Sequence, residues 1–157
     1  METYSIRHKV GIKASAEAVY QTLTDTKKLA GWWISDTRGD GSRVRSVLEF
    51  WSGDFCQKIE VVELQPGKLV RWKYREGFDE WVGTEIAFYL KSDEKQCYVQ
   101  FNHAGWRSDS GSFSFCSTKW AVFLLSLKDF LEKGKGRPVP NDVEIEYDEI
   151  AGRRRTA

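Results

Sequence analysis

Two histidines, three cysteines and a surplus of aromatic side chains are the residues of this 157-residue chain that chemistry could use. His8 and His103 each lie in a stretch where polar and apolar residues alternate, and both fall on the apolar side. A histidine becomes a base when a nucleophile or carboxylate stands beside it, and neither has a Ser, Cys or carboxylate at motif spacing. Both read as polar anchors within an apolar surface. Cys56, Cys97 and Cys116 are odd in number, far apart and without a CxxC pair, so neither a disulfide framework nor a zinc site is expected. Each is a small apolar filler, although Cys116 stands near a helix start, where a thiol pKa falls. Among the carboxylates Glu60, Asp79, Glu80 and Glu85, an acid and a base could be found, yet Glu60 and Glu85 take the outward parity of their strands. H-E-x-x-H, GxGxxG and GxxxxGK[ST] are absent. No catalytic residue, no metal ligand and no cofactor is therefore assigned.

The aromatic residues offer a different chemistry, that of an apolar binding wall. In strand-like stretches Val70, Trp72 and Tyr74 share a face, as do Val82, Thr84, Ile86, Phe88 and Leu90, and again Val99, Phe101 and His103. In the one long helical pattern, Gly111 to Lys133, Trp120, Phe123, Leu124, Leu127 and Leu131 recur at helical spacing, while Lys119, Ser126, Lys128, Asp129 and Lys133 fall on the polar side. Trp32 and Trp33 follow the short helices, where a mouth would form. Trp33, Val70, Trp72, Thr84, Ile86, Phe101, His103, Trp120, Phe123 and Leu127 are the candidate ligand-binding residues, with Thr84 and His103 orienting a flat or apolar molecule. Plain filling of a two-layer core predicts the same parities.

The elements that must position these residues can be read from turn and cap signals. A first strand alternates from Tyr4 to Ile12; Ser15 caps a short helix to about Asp25, with a second helical turn from Thr26 to Trp33. After the turn cluster Gly39 to Ser42, a second strand begins over Val44, Leu48 and Phe50. Strands three and four, Phe55 to Leu64 and Leu69 to Arg75, meet at Gln65-Pro66-Gly67-Lys68, a type II turn signature. Strands five and six run from Glu80 to Leu90 and from Gln96 to Ala104. The long helix ends at Gly134 behind a basic last turn, with Ser112, Ser114 and Ser117 as alternative N-caps.

Composition excludes several classes of function. With 24 Lys and Arg against 23 Asp and Glu, a net charge of +1 gives no field for nucleic acid or acidic lipid. The run Arg153 to Arg155 reads as part of a charged C-terminal tail, residues 143–157, behind a single domain over residues 1–142. METYSIRHKV is not a secretory signal and no window approaches the ~18 apolar residues of a membrane span, so a cytoplasmic location is expected.

The blocks LAGWWISDTRGD (Leu29 to Asp40), EWVGTEI (Glu80 to Ile86), CSTKW (Cys116 to Trp120) and GKGRPVPND (Gly134 to Asp142) make the chain resemble the START-like, or SRPBCC, superfamily. Within it the chain is most similar to small proteins like the C-terminal domain of the activator of the ninety-kilodalton heat-shock protein ATPase, over about Tyr4 to Asp142. The resemblance implies an α+β helix-grip fold like that of the birch-pollen allergen. A curved six-stranded antiparallel sheet would wrap a long C-terminal helix, with two short helices after strand one and a cavity between sheet and helix. It brings no universal catalytic residue. It implies a binding or carrier module for a small apolar, aromatic or lipid-like ligand, in a monomer or homodimer. Two further functions follow: a stress-response cochaperone with a chaperone as partner, and a cyclase- or hydrolase-type enzyme with His103 as base.

Overall fold

The computed structural model describes residues 2–148 and 153–154. Its first strand, β1 (Tyr4–Ile12), is followed by α1 (Ala16–Thr24) and α2 (Thr26–Leu29). Ser15 holds an extended backbone at the head of α1 and its Oγ accepts from Ala18 N at 3.1 Å. Asp25 ends α1, donating its N–H to Gln21 O, and its carboxylate then accepts from Lys28 N to open α2. One residue thus closes a helix and caps the next.

The strands that follow are β2 (Asp36–Gly39), β3 (Val47–Ser52), β4 (Phe55–Gln65), β5 (Leu69–Glu76), β6 (Glu85–Ser92) and β7 (Cys97–Trp106). The predicted turn between β4 and β5 is formed, with Lys68 N donating to Gln65 O at 2.8 Å and Gly67 at φ 72°. The sheet runs β1-β7-β6-β5-β4-β3-β2 with antiparallel neighbours throughout, and its edge strands β1 and β2 do not meet. This is an α+β fold with a curved, unclosed sheet and a C-terminal helix, but the sheet has seven strands rather than the six expected. The unexpected strand is β2, an edge piece reading DTRG with no apolar residue to betray it. A two-stranded ribbon, β8 (Tyr147–Asp148) with β9 (Arg153–Arg154), follows the domain; the rest of the Arg153 to Arg155 run lies outside the described residues.

The helix α3 (Phe113–Lys133) ends at Gly134, whose φ of 82° and N–H to Phe130 O make a left-handed cap. Its far half is tied to the free edge of β1: Lys128 Nζ donates to Gly11 O, and Lys13 N donates to the Glu132 carboxylate at 2.8 Å. These contacts cover an edge that would otherwise present unpaired backbone groups. Two sequence expectations fail here. The strand expected from Glu80 begins at Glu85, leaving Val82 39% exposed in a turn rather than inward. On α3, Lys119 and Ser126 are buried, although periodicity put them on the wet face, because the chain beyond Gly134 folds back over that side of the helix.

Candidate functional site

All ten candidate binding residues are buried, none more than 2% exposed. Nine of them arrive with four elements: β5 carries Val70 and Trp72, β6 begins just after Thr84 and carries Ile86, β7 carries Phe101 and His103, and α3 carries Trp120, Phe123 and Leu127. Trp33 comes from the loop behind α2. Its N–H reaches Leu29 O at 3.0 Å and its carbonyl accepts from Val139 N at 2.8 Å, so the loop is clamped between α2 and the segment after α3. The Trp33 ring lies 4.4 Å from Phe50, 5.1 Å from Trp120, and 5.9 Å from Trp72 with planes 9° apart. Phe101 meets Trp120 at 4.5 Å. The mouth expected at Trp32 and Trp33 is therefore closed, since both rings are fully buried.

His103 sits in the middle of this cluster with both ring nitrogens committed. The Trp120 indole N–H donates to Nδ1 at 3.1 Å, which fixes Nδ1 as an acceptor and leaves the ring proton on Nε2. That proton goes to Thr84 Oγ1 at 2.8 Å, and the Thr84 hydroxyl in turn donates to Trp81 O at 2.6 Å. Burial pushes the His103 pKa down to about 3, so the imidazole is neutral. A neutral histidine without a free lone pair is no base, and the geometry offers none of the activation that the cyclase or hydrolase reading needs. His8 is half-buried at the helix side of β1, with Nε2 donating to Ser117 O at 2.9 Å. Burial raises the Cys116 thiol pKa, the reverse of what a helix start alone would do. Among the described residues no three His, Cys, Asp or Glu side chains converge as metal ligands.

Sequence parity missed several members of the cluster. Trp81 lies in the β5–β6 turn, where no alternation flags it, yet it meets His103 at 4.6 Å and Trp120 at 5.8 Å. Trp106, two residues past the expected end of its strand, meets His103 at 5.0 Å. Three buried indole N–H groups, those of Trp33, Trp72 and Trp106, find no acceptor among the described residues. A buried Trp N–H ordinarily has a partner, so the cluster holds donors in want of an oxygen.

Surface depressions also exist. One of about 480 Å3 lies on the outer side of the sheet between Arg7, Lys9, Tyr89 and Asn102, and touches the ten residues only through Phe101. Another of about 820 Å3 lies where α3 ends, between Gly31, Phe130 and Arg137. No described helix is long and apolar enough to cross a membrane.

Comparison with known proteins agrees with this architecture. The solution structure of an Aha1 dimer from Colwellia psychrerythraea superposes with a TM-score of 0.78 at 42% identity, covering 85% of this chain and 99% of that one. A Staphylococcus saprophyticus protein shares the fold at 17% identity, with a TM-score of 0.73 over 87% of this chain and 98% of its own. A protein of the dynemicin biosynthetic locus shares it at 19% identity, with a TM-score of 0.67 over 84% of this chain and 48% of its own. A search of curated proteins gave no match. The profile of the family described as Activator of Hsp90 ATPase homolog 1-like protein matches residues 13–132, three quarters of the sequence, and the chain belongs to that family.

Proposed function

We propose that the protein binds a small apolar molecule carrying an acceptor oxygen within the aromatic cluster between α3 and β5, β6 and β7, and does no chemistry on it. The observation that carries this reading is the set of unmet donors: the Trp33 and Trp72 indole N–H groups are buried among apolar rings without an acceptor. An unmet buried donor costs about 1–3 kcal/mol, and a ligand oxygen would recover part of it. In the structure the rings close on one another, so admitting a ligand requires Trp33 or the start of α3 to shift. Titration with 2-acetonaphthone and with 2-ethylnaphthalene, its counterpart without the oxygen, tests the reading. The ketone is expected to bind at least ~10-fold more tightly and to move the indole N–H resonances of Trp33 and Trp72 in a 15N spectrum. If neither compound moves those two resonances, the interior is simply a packed core.

A second reading is favoured by a specific observation, the 42% identity to a protein described as Aha1 over 99% of its length. In that reading the chain stimulates an Hsp90-type ATPase. A several-fold rise in chaperone turnover on adding the protein at tens of micromolar supports it, and no rise at that concentration removes it. The same relative is a dimer, and sedimentation of this protein at micromolar concentration is expected to give twice the monomer mass.

A further inference from the structure

The groove at the end of α3 is built by sequence features that the aromatic interior does not use. Gly134 turns the chain out of the helix, and Gly136 then passes so close to the Gly31 loop that a Cβ there would stand 2.7 Å from Gly31 O and 2.8 Å from Ser126 Oγ. On the other wall the Phe130 ring covers Gly31 closely enough to leave no room for a side chain. Ser126 pins the two walls together: its hydroxyl donates to Trp32 O and accepts from Arg137 N, each at 2.7 Å. The result is a depression of about 820 Å3, within the ~300–1,000 Å3 usual for small-molecule sites. Phe130 and Pro138, both half-buried, give it an apolar floor.

Its charge is of one sign. Lys133, Lys135 and Arg137 line it, and no acidic side chain does. Lys133 is held by Asp129 at 3.4 Å and complements the negative end of the helix, which carries only about half a charge. Lys135 and Arg137 are exposed and form no ion pair among the described residues. On β5, by contrast, Arg71, Lys73 and Arg75 are each matched by a glutamate. Two unmatched cations beside an apolar floor are complementary to one kind of molecule.

We propose that this groove binds a single-chain amphipathic anion, its acyl or aryl part against Phe130 and Pro138 and its carboxylate or phosphate head between Lys135 and Arg137. A guanidinium suits such a head because its two N–H groups can meet two oxygens at once. The site is on the surface, so it does not depend on the aromatic interior opening. The test is calorimetric titration of the intact protein with octyl phosphate below its micelle concentration. Octanol, inorganic phosphate and phosphatidylglycerol vesicles serve as separate arms. Octyl phosphate is expected to bind at least ~10-fold more tightly than octanol or phosphate, and the Lys135→Gln/Arg137→Gln variant to lose about 10-fold. An Arg7→Gln/Lys9→Gln variant on the outer sheet face, far from the groove, should bind unchanged. The proposal is overturned if octyl phosphate does not bind, if octanol or phosphate alone binds as well, if the groove variant keeps full affinity, or if only vesicles are bound.

Discussion

His103 shows how far a residue's surroundings decide its chemistry. A histidine in water is half-charged near pH 6.5, but this one is enclosed by Trp81, Trp106 and Trp120, and its two nitrogens are spent on Trp120 and Thr84. Charging it would place a cation in apolar surroundings without water, so burial takes the pKa down to about 3. The folded value lies below the unfolded one, so the unfolded chain binds the extra proton between pH 6.5 and 3. Stability is therefore complete above pH 6.5 and falls as the pH drops through that window. The slope approaches ~1.4 kcal/mol per pH unit. Between pH 6 and 5 carboxylates contribute little; Asp40, for one, is held at about 2 by bonds from Ser42 and by Arg43. Urea unfolding at pH 6.0, 5.5 and 5.0 should show a loss of about 1 kcal/mol per unit that persists in His8→Gln and vanishes in His103→Gln. A flat profile in the parent protein would mean that His103 titrates normally and is not enclosed as described.

At the scale of elements, the segment beyond α3 does what no helical wheel predicts. Lys119 points into the fold, donates to Asp142 and to Val143 O at 2.6 Å, and holds its amine over Phe123 at 5.5 Å; the Lys119 and Asp142 side chains have no solvent contact. Removing one partner of a buried pair strands the other charge and costs about 3–5 kcal/mol, whereas replacing both by apolar residues of similar volume is close to neutral. Lys119→Met and Asp142→Leu should each lower the urea-derived stability by about that amount, and the double variant should recover to within about 1 kcal/mol of the parent. Additive losses would show that the two side chains do not act as a pair. The same elements mark what the sequence made legible. Alternation located β1, β4, β5 and β7 to within two residues, and cap chemistry placed α1 and the C-terminal end of α3 closely, because those signals are local; the start of α3 was left open among Ser112, Ser114 and Ser117, since no side-chain cap marks it. β2 was invisible because it is a four-residue edge strand whose pairing, Asp36 with Trp51 through Gly39 with Leu48, is decided by its neighbour. Lys119 and Ser126 were misplaced because periodicity reports how apolar a face is. It does not report that a second segment will bring Asp142 to a lysine or the Trp32 carbonyl and Arg137 N–H to a serine. Nine of the ten candidate residues were legible as an inward set; Trp33, read as part of a mouth, and Trp81, sitting in a turn, were not.

On the scale of the whole molecule, β1 and β7 join chain positions nearly a hundred residues apart, and α3 is held between that pair and the segment clamped by Asp142. The sheet centre therefore opens only with the entire fold, while the start of α3 is its weakest seam. Ser112 occupies the N-cap position but forms no side-chain cap; its Oγ and N–H both turn to the Glu80 carboxylate in the β5–β6 turn. Fraying of the first two turns would expose Cys116 and part the cluster at Trp120, the movement a ligand would need. The three free cysteines report on it, since Cys56 is half-buried, Cys116 lies one turn into α3, and Cys97 is sealed where β7 pairs with both β1 and β6. Burial raises all three thiol pKa values, so labelling is best followed near pH 8.5. Under native conditions N-ethylmaleimide should modify Cys56 first, Cys116 at an intermediate rate set by local opening, and Cys97 last, at the rate of global unfolding. Peptide mapping over time distinguishes the orders. Equal protection of Cys116 and Cys97 would mean that helix and sheet open as one unit, leaving no local path into the aromatic cluster. A saturating interior ligand should slow Cys116 selectively and leave Cys56 unchanged, because only the former lies on the seam that ligand binding would close.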